Sequence, residues 1–167
     1  MDLENFRRKA IRTKKGLVTF LRKFDTLVPP ELSEIVAEED AKVWQHTDCT
    51  TCANCCKTMT PTYGKEDVKR ISRHLRMKPK DFIEKWLYKD EESGDWMNKN
   101  QPCQFLQPDN RCGIYEVRPL DCAEFPHHNK KPFDEYNETF IGNVTRCPAT
   151  HELVLRLKKR IEQDYEF

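Results

Sequence analysis

Apolar residues recur at helical spacing in five stretches of the chain, and polar residues fill the positions between them. Leu3, Phe6, Ala10, Leu17, Phe20, Leu21 and Phe24 predict an amphipathic helix over residues 2–27. Pro29 and Pro30 end it, because each lacks an N–H and disfavours helix in the residue before it. Leu32, Ile35, Val36, Val43 and Trp44 predict a second helix over 31–46. A third, over 65–77, follows Tyr63-Gly64 in the stretch KEDVKRISRHLRM. A fourth follows in KPKDFIEKWLYKD, with Pro79 in its first turn and Phe82, Ile83, Trp86 and Leu87 turned inward. The last covers 149–164. Between these elements, CTTCANCC at 49–56 has no helical period and reads as loop. Residues 91–148 are rich in Pro, Asn, Asp and Gly, too long a segment to stand unsupported unless it is functional or organised by metal.

The pattern predicts a mainly α protein: one small domain, 1–167, of about five helices with a cysteine-rich, loop-dominated metal-binding region. Its parts are an N-terminal helical hairpin (1–46), a cysteine-cluster region (47–148) and a C-terminal helix (149–167). Composition adds a physical reason. Only 37% of the residues are hydrophobic and 34% are charged, so the apolar core is modest and something else must help hold the fold. The net charge of +1 points to no particular partner. Residues 1–23 carry eight Lys or Arg against two acids, and residues 31–48 carry six acids against one Lys. Direct pairing of the first two helices accounts for this. A basic helix that binds nucleic acid is the weaker alternative, since no aromatic-rich basic groove accompanies it. No apolar run approaches the ~20 residues that span a bilayer, and no leader peptide is visible. The expectation is a cytoplasmic protein, off the membrane, that does not bind nucleic acid and has a protein partner or substrate still to be identified.

In a reducing compartment, eight cysteines point to metal or redox chemistry rather than to a disulfide framework. They are Cys49, Cys52, Cys55, Cys56, Cys103, Cys112, Cys122 and Cys147. Cys49-x2-Cys52-x2-Cys55 resembles the opening of the bacterial ferredoxin run, whose thiolates hold an iron–sulfur cluster. Cys147-Pro148 supplies the one Cys-Pro step. The same sulfurs suit a tetrahedral zinc site. Spacing leaves both cofactors open: zinc, or an iron–sulfur cluster with [4Fe–4S] among the forms that fit. Adjacent Cys55 and Cys56 are poor disulfide partners, their Cα atoms lying ~3.8 Å apart, and their side chains are expected to diverge toward different centres. Eight thiols then divide into two four-ligand centres. Cys49, Cys52, Cys55 and Cys147 form one; Cys56, Cys103, Cys112 and Cys122 form the other. A single centre with spare thiols is the competing arrangement.

Beside the thiols, Gly113 places a small residue after Cys112, where the backbone can turn and donate an N–H to sulfur. Arg118 can offset thiolate charge or pair with Asp121 or Glu116, and Phe105 and Phe125 are expected core contacts near the sulfurs. Of the five histidines, His46, His74, His127, His128 and His151, an exposed or hydrogen-bonded role is expected rather than ligation.

CTTCANCC, PCQFL at 102–106 and CGIYEVRPLDCAEFP at 112–126 together resemble the CxxCxxCC cysteine-cluster family. These are the YkgJ-type proteins, described as zinc- or iron-chelating domains; flagellin lysine N-methylase carries a similar cluster. The resemblance implies a metal-binding role for Cys49, Cys52, Cys55, Cys56, Cys103, Cys112 and Cys122, with Cys147 a weaker match. Members often have Gly after the second cysteine and Arg after the one in RPxxC, where this chain has Ala53 and Ala123. The function expected is metal binding through clustered thiolates. A cluster-dependent protein-lysine methyltransferase, or a redox or metal-delivery module, is the alternative.

Overall fold

The computed structural model describes residues 2–165. In chain order its elements are α1 (Leu3–Lys23), α2 (Leu32–Trp44), α3 (Cys49–Cys52), α4 (Asn54–Thr58), β1 (Thr62–Tyr63), α5 (Lys65–His74), α6 (Pro79–Trp86), β2 (Leu87–Lys89), β3 (Trp96–Asn98), α7 (Leu120–Glu124), α8 (Asn137–Asn143) and α9 (Pro148–Asp164). The protein is mainly α with one small sheet. The chain forms two compact units, residues 1–48 with 126–167, and residues 49–125. Among the described residues no helix is long and apolar enough to cross a membrane.

The first unit is helical. Asp2 caps α1 by accepting hydrogen bonds from the Glu4 and Asn5 N–H groups. The predicted stripe of α1 is buried at Phe6, Ala10, Leu17, Phe20 and Leu21. It meets Leu153, Val154, Leu157 and Ile161 of α9, all fully buried, and Phe140 of α8, which stacks on Phe133 at 4.1 Å. α1 and α2 do not pack chiefly on each other as a hairpin: α2 packs on α9, and α1 on both α9 and α8. The acids of α2 accordingly meet cations of α9. Glu38 and buried Glu39 pair with Arg160, and Glu39 also with Arg156 and Lys42. Burial pushes Glu39 up, but the hydrogen bonds from Lys42 and Arg160 outweigh it and leave its carboxyl below the usual range.

The second unit is built on a three-stranded antiparallel sheet in the order β1-β3-β2. Periodicity carries the α6 helix through Leu87-Tyr88-Lys89, yet those residues pair with β3, Leu87 opposite Asn98 and Tyr88 opposite Met97. The Asp90–Asp95 turn makes this possible. Asp90 Oδ1 accepts from the Glu92 and Ser93 N–H groups, and Gly94 takes a left-handed φ of 73°. The core of this unit is small: Tyr63, Val68, Ile71, Phe82, Leu87 and Ile114, with Phe105, Trp86 and Cys112 packed against it. Phe105 stacks on Phe82 with 2° between ring planes.

Candidate metal centre

The segment 49–56 is not a loop. It forms two short helices, α3 and α4, separated by Ala53 in the left-handed region at φ 49°. That single residue turns the chain between Cys52 and Cys55 and explains why no helical period is visible. Cys52 is buried, Cys55 and Cys56 half-buried, and Cys49 exposed.

Three further segments present the remaining thiols of this unit; a backbone bond ties the first to α4, and the second is tied to the first. The Cys103 N–H donates to the Cys56 carbonyl at 2.8 Å. The chain then turns back on itself through a Leu106–Cys112 bridge, with the Gly113 N–H donating to the Phe105 carbonyl at 2.8 Å. A Cβ added at Gly113 would lie 3.3 Å from the end of the exposed Gln107 side chain and in ordinary contact, 3.5 Å, with the Phe105 carbonyl. Cys122 sits in α7, which is clamped at its start. Buried Asp67 accepts from the Leu120 N–H (3.1 Å), from the Gly64 N–H at the head of α5 (3.0 Å) and from Arg70 (2.5 Å). Asp121 accepts from the Thr62 N–H of β1 at 3.0 Å, and Arg70 donates to the Arg118 carbonyl at 2.8 Å.

Cys56, Cys103, Cys112 and Cys122 form an electrostatic set in which every pair interacts. Burial pushes the Cys103 thiol up, as do the charges of Cys56 and Cys112. Burial does the same at Cys112, with Cys56 adding to it, while Arg118 favours its thiolate. Cys122 is raised furthest, by burial first and then by Cys56, Asp121, Cys103 and Cys112. Cys56 moves the other way, to about 7, chiefly through the hydrogen bond from Cys55 and further through its own N–H and Lys57. The N–H groups two residues on serve Cys103 (from Phe105) and Cys112 (from Ile114), so a donor does reach the Cys112 sulfur, from the residue after Gly113. Arg118 lies over the Tyr115 ring at 3.9 Å and donates to the Tyr115 carbonyl at 2.7 Å.

The vicinal sulfurs do not diverge as expected. Cys55 Sγ and Cys56 Sγ are 4.0 Å apart. Two ligands of one tetrahedral zinc, with Zn–S of about 2.3 Å, stand ~3.8 Å apart. The argument that separated the pair on steric grounds therefore loses its premise; what distinguishes Cys56 is its interaction with the other three thiols. Among the described residues no three Cys, His, Asp or Glu side chains stand together as a ready-made cage.

Cys147 belongs to the first unit. It is buried at the N-cap of α9, where its sulfur accepts from the Thr150 N–H at 3.5 Å. The histidines divide as follows. His46 and His74 are exposed, and His127 is half-buried with φ 70°. Both ring nitrogens of buried His128 are engaged, with Asp40 at 2.6 Å and Thr150 at 3.0 Å. His151 Nε2 lies 2.9 Å from Thr13 Oγ1.

Sequence reasoning missed Asp67, Tyr63 and Asn98. Asp67 offers one local signal, its place three residues after Gly64 at a helix start. Tyr63 and Asn98 meet across the sheet, the Tyr63 hydroxyl donating to Asn98 Oδ1 at 2.6 Å. No local pattern announces that pair.

The order and spacing of these cysteines can be set against known families. The CxxCxxCC family model, described as "Putative zinc- or iron-chelating domain", matches residues 48–140, more than half of the chain. The chain belongs to the CxxCxxCC family. The matched span takes in the whole thiol-rich unit and leaves Cys147 outside it. No curated protein and no solved structure matches the chain. Metal binding in the general sense is thus a property of the CxxCxxCC family to which the protein belongs.

Proposed function

We propose that residues 49–125 bind one zinc or iron centre through Cys56, Cys103, Cys112 and Cys122, and that its role is to hold this unit together. The observation that carries the reading is that backbone bonds from Cys103 to Cys56 and from Gly113 to Phe105, the Leu106–Cys112 bridge and the Asp67 clamp on α7 hold these four half-buried thiols in one unit, inside the span that matches the zinc- or iron-chelating family.

The surroundings suit an anionic sulfur centre. Burial raises three of the thiols, so as free thiols they stay protonated at neutral pH. A cation reverses that balance by replacing protons with a shared positive charge. N–H donors at Cys103 and Cys112, and the guanidinium of Arg118 near Cys112, already favour the thiolate forms. When bound, the ion supplies a cross-link between segments that otherwise share six core residues. A structural zinc site contributes on the order of 10 kcal/mol, comparable with the net stability of a domain. The residues do the rest: α4 presents Cys56, the turned-back 103–112 segment presents two sulfurs, and Asp67 holds α7 so that Cys122 completes the set.

Elemental analysis with acid-labile sulfide on protein purified without oxygen tests the reading. One zinc or iron per chain without sulfide is the expected result; no bound metal rejects it. Inorganic sulfide in step with iron would instead identify an iron–sulfur cluster on these thiols.

A further inference from the structure

Residues 5–24 carry eight Lys or Arg and no acid. The acids of α2 do not neutralise them: Glu38 and Glu39 meet Arg156 and Arg160 of α9, and Asp40 meets His128. Three of the eight find other acids, Lys9 at Glu152, Arg22 at Glu138 and Asp25, and Lys23 at Glu162. Arg8 reaches Glu4 of its own helix at 3.7 Å with both side chains exposed, a pairing worth little in water. Arg7, Arg12, Lys14 and Lys15 are exposed and make no ion pair among the described residues.

These five cations are arranged regularly. Residues three and four apart share a helix face. Ile11, 74% exposed, therefore has Arg7 and Lys14 on one side and Arg8 and Lys15 on the other, with Arg12 beyond Arg8. The result is two rows of positive charge, about 12 Å long, astride an apolar side chain. The opposite face of α1, with Phe6, Leu17, Phe20 and Leu21, is buried against α9 and α8, which holds the charged face outward.

We propose that this face of α1 is a docking surface for double-stranded DNA, held through its phosphates and without preference for sequence. Two rows of cations on one helix complement the two phosphate rows that border the major groove. That groove is about 12 Å wide, and an α-helix with its side chains measures about 10–12 Å. The major groove of duplex RNA is too narrow and deep to receive side chains in this way. The aromatic-rich groove that the chain lacks serves single strands, whose bases stack on it; a duplex held by its backbone does not need one. An anionic bilayer is a poorer fit, because an interfacial helix buries a whole apolar face and α1 offers it Ile11. Metal plays no part in this contact.

Fluorescence anisotropy of a labelled DNA duplex of about 20 base pairs, titrated with the full-length protein, tests this. Five phosphate contacts give log affinity against log salt a slope of about −4.5, so binding weakens about 100-fold between 50 and 150 mM salt. Lys14→Glu with Lys15→Glu should weaken binding at 50 mM salt more than about tenfold and bring the slope to about −3. The same two reversals at exposed Lys78 and Lys80 should leave affinity and slope unchanged. If the α1 double variant does not fold, Arg12→Gln alone is read by a slope shallower by about one. No duplex binding at 50 mM salt overturns the proposal, as does equal loss from both pairs of reversals. Tighter binding of phosphatidylserine vesicles or of an acidic peptide than of the duplex overturns it too, by assigning the face to a membrane or to a protein.

Discussion

At the scale of single residues, the centre is a problem of charge in a half-buried place. Cys103, Cys112 and Cys122 are pushed up and Cys56 sits at about 7. Just above neutral pH, binding therefore displaces about three protons, and the logarithm of the apparent affinity should rise by about three per pH unit between pH 7.5 and 8.5. Acid opposes binding because protons compete for the same sulfurs. Competitive zinc titrations across that range measure the slope; a flat profile would mean that the thiols are not the ligands. Removing one ligand by Cys112→Ser should weaken Co(II) or Zn(II) binding by more than about 100-fold, read in the same titration. Ala53 offers a test unrelated to metal. It occupies a left-handed conformation that L residues adopt at a cost. Ala53→Gly should raise stability by about 0.5 kcal/mol, the relief of strain exceeding the added entropy of the unfolded chain. Chemical denaturation of the metal-loaded protein decides the sign.

At the scale of elements, the helices were readable where apolar residues repeat over several turns, as in α1, α2, α5, α6 and α9. Three features were not. Ala53 breaks α3 from α4 by a backbone conformation that no side-chain pattern encodes. Leu87, Tyr88 and Lys89 continue the period of α6 and become a strand because β3 is there to pair with them, a long-range partnership. The acidic face of α2 is met by Arg156 and Arg160 of α9, since charge complementarity names a sign and not a partner. The centre shows the same division. The order of the cysteines identified the family, whereas the grouping of Cys56 with Cys103, Cys112 and Cys122 came from vicinal divergence and four-ligand arithmetic. The argument from vicinal divergence fails against a separation of 4.0 Å. Asp67 shows how an element is positioned: one carboxylate holds the starts of both α5 and α7. Asp67→Ala should lower stability by about 2–3 kcal/mol, because it strips a buried acceptor from two N–H groups and Arg70. It should also weaken zinc binding by about 10–100-fold without removing a ligand. Unchanged zinc affinity would show that α7 is held by other contacts.

At the scale of the whole molecule, the proposed centre would give the two units different means of stability. The helical unit buries Phe20, Phe140, Leu153, Leu157 and Ile161 fully and has an apolar core of its own. Residues 49–125 centre on six buried apolar residues and carry seven of the eight cysteines. Removal of metal with a chelator should therefore expose the amides of 49–125 to hydrogen exchange while α1 and α9 keep their protection. Equal loss in both units would contradict this division of labour. The central claim is that sulfur-bound metal organises the thiol-rich unit. X-ray absorption at the metal edge of anaerobically purified protein tests it most directly. The account predicts four sulfur neighbours at about 2.3 Å around a single zinc or iron, falling to three in Cys122→Ser; a shell of nitrogen and oxygen, or no metal to measure, would contradict it.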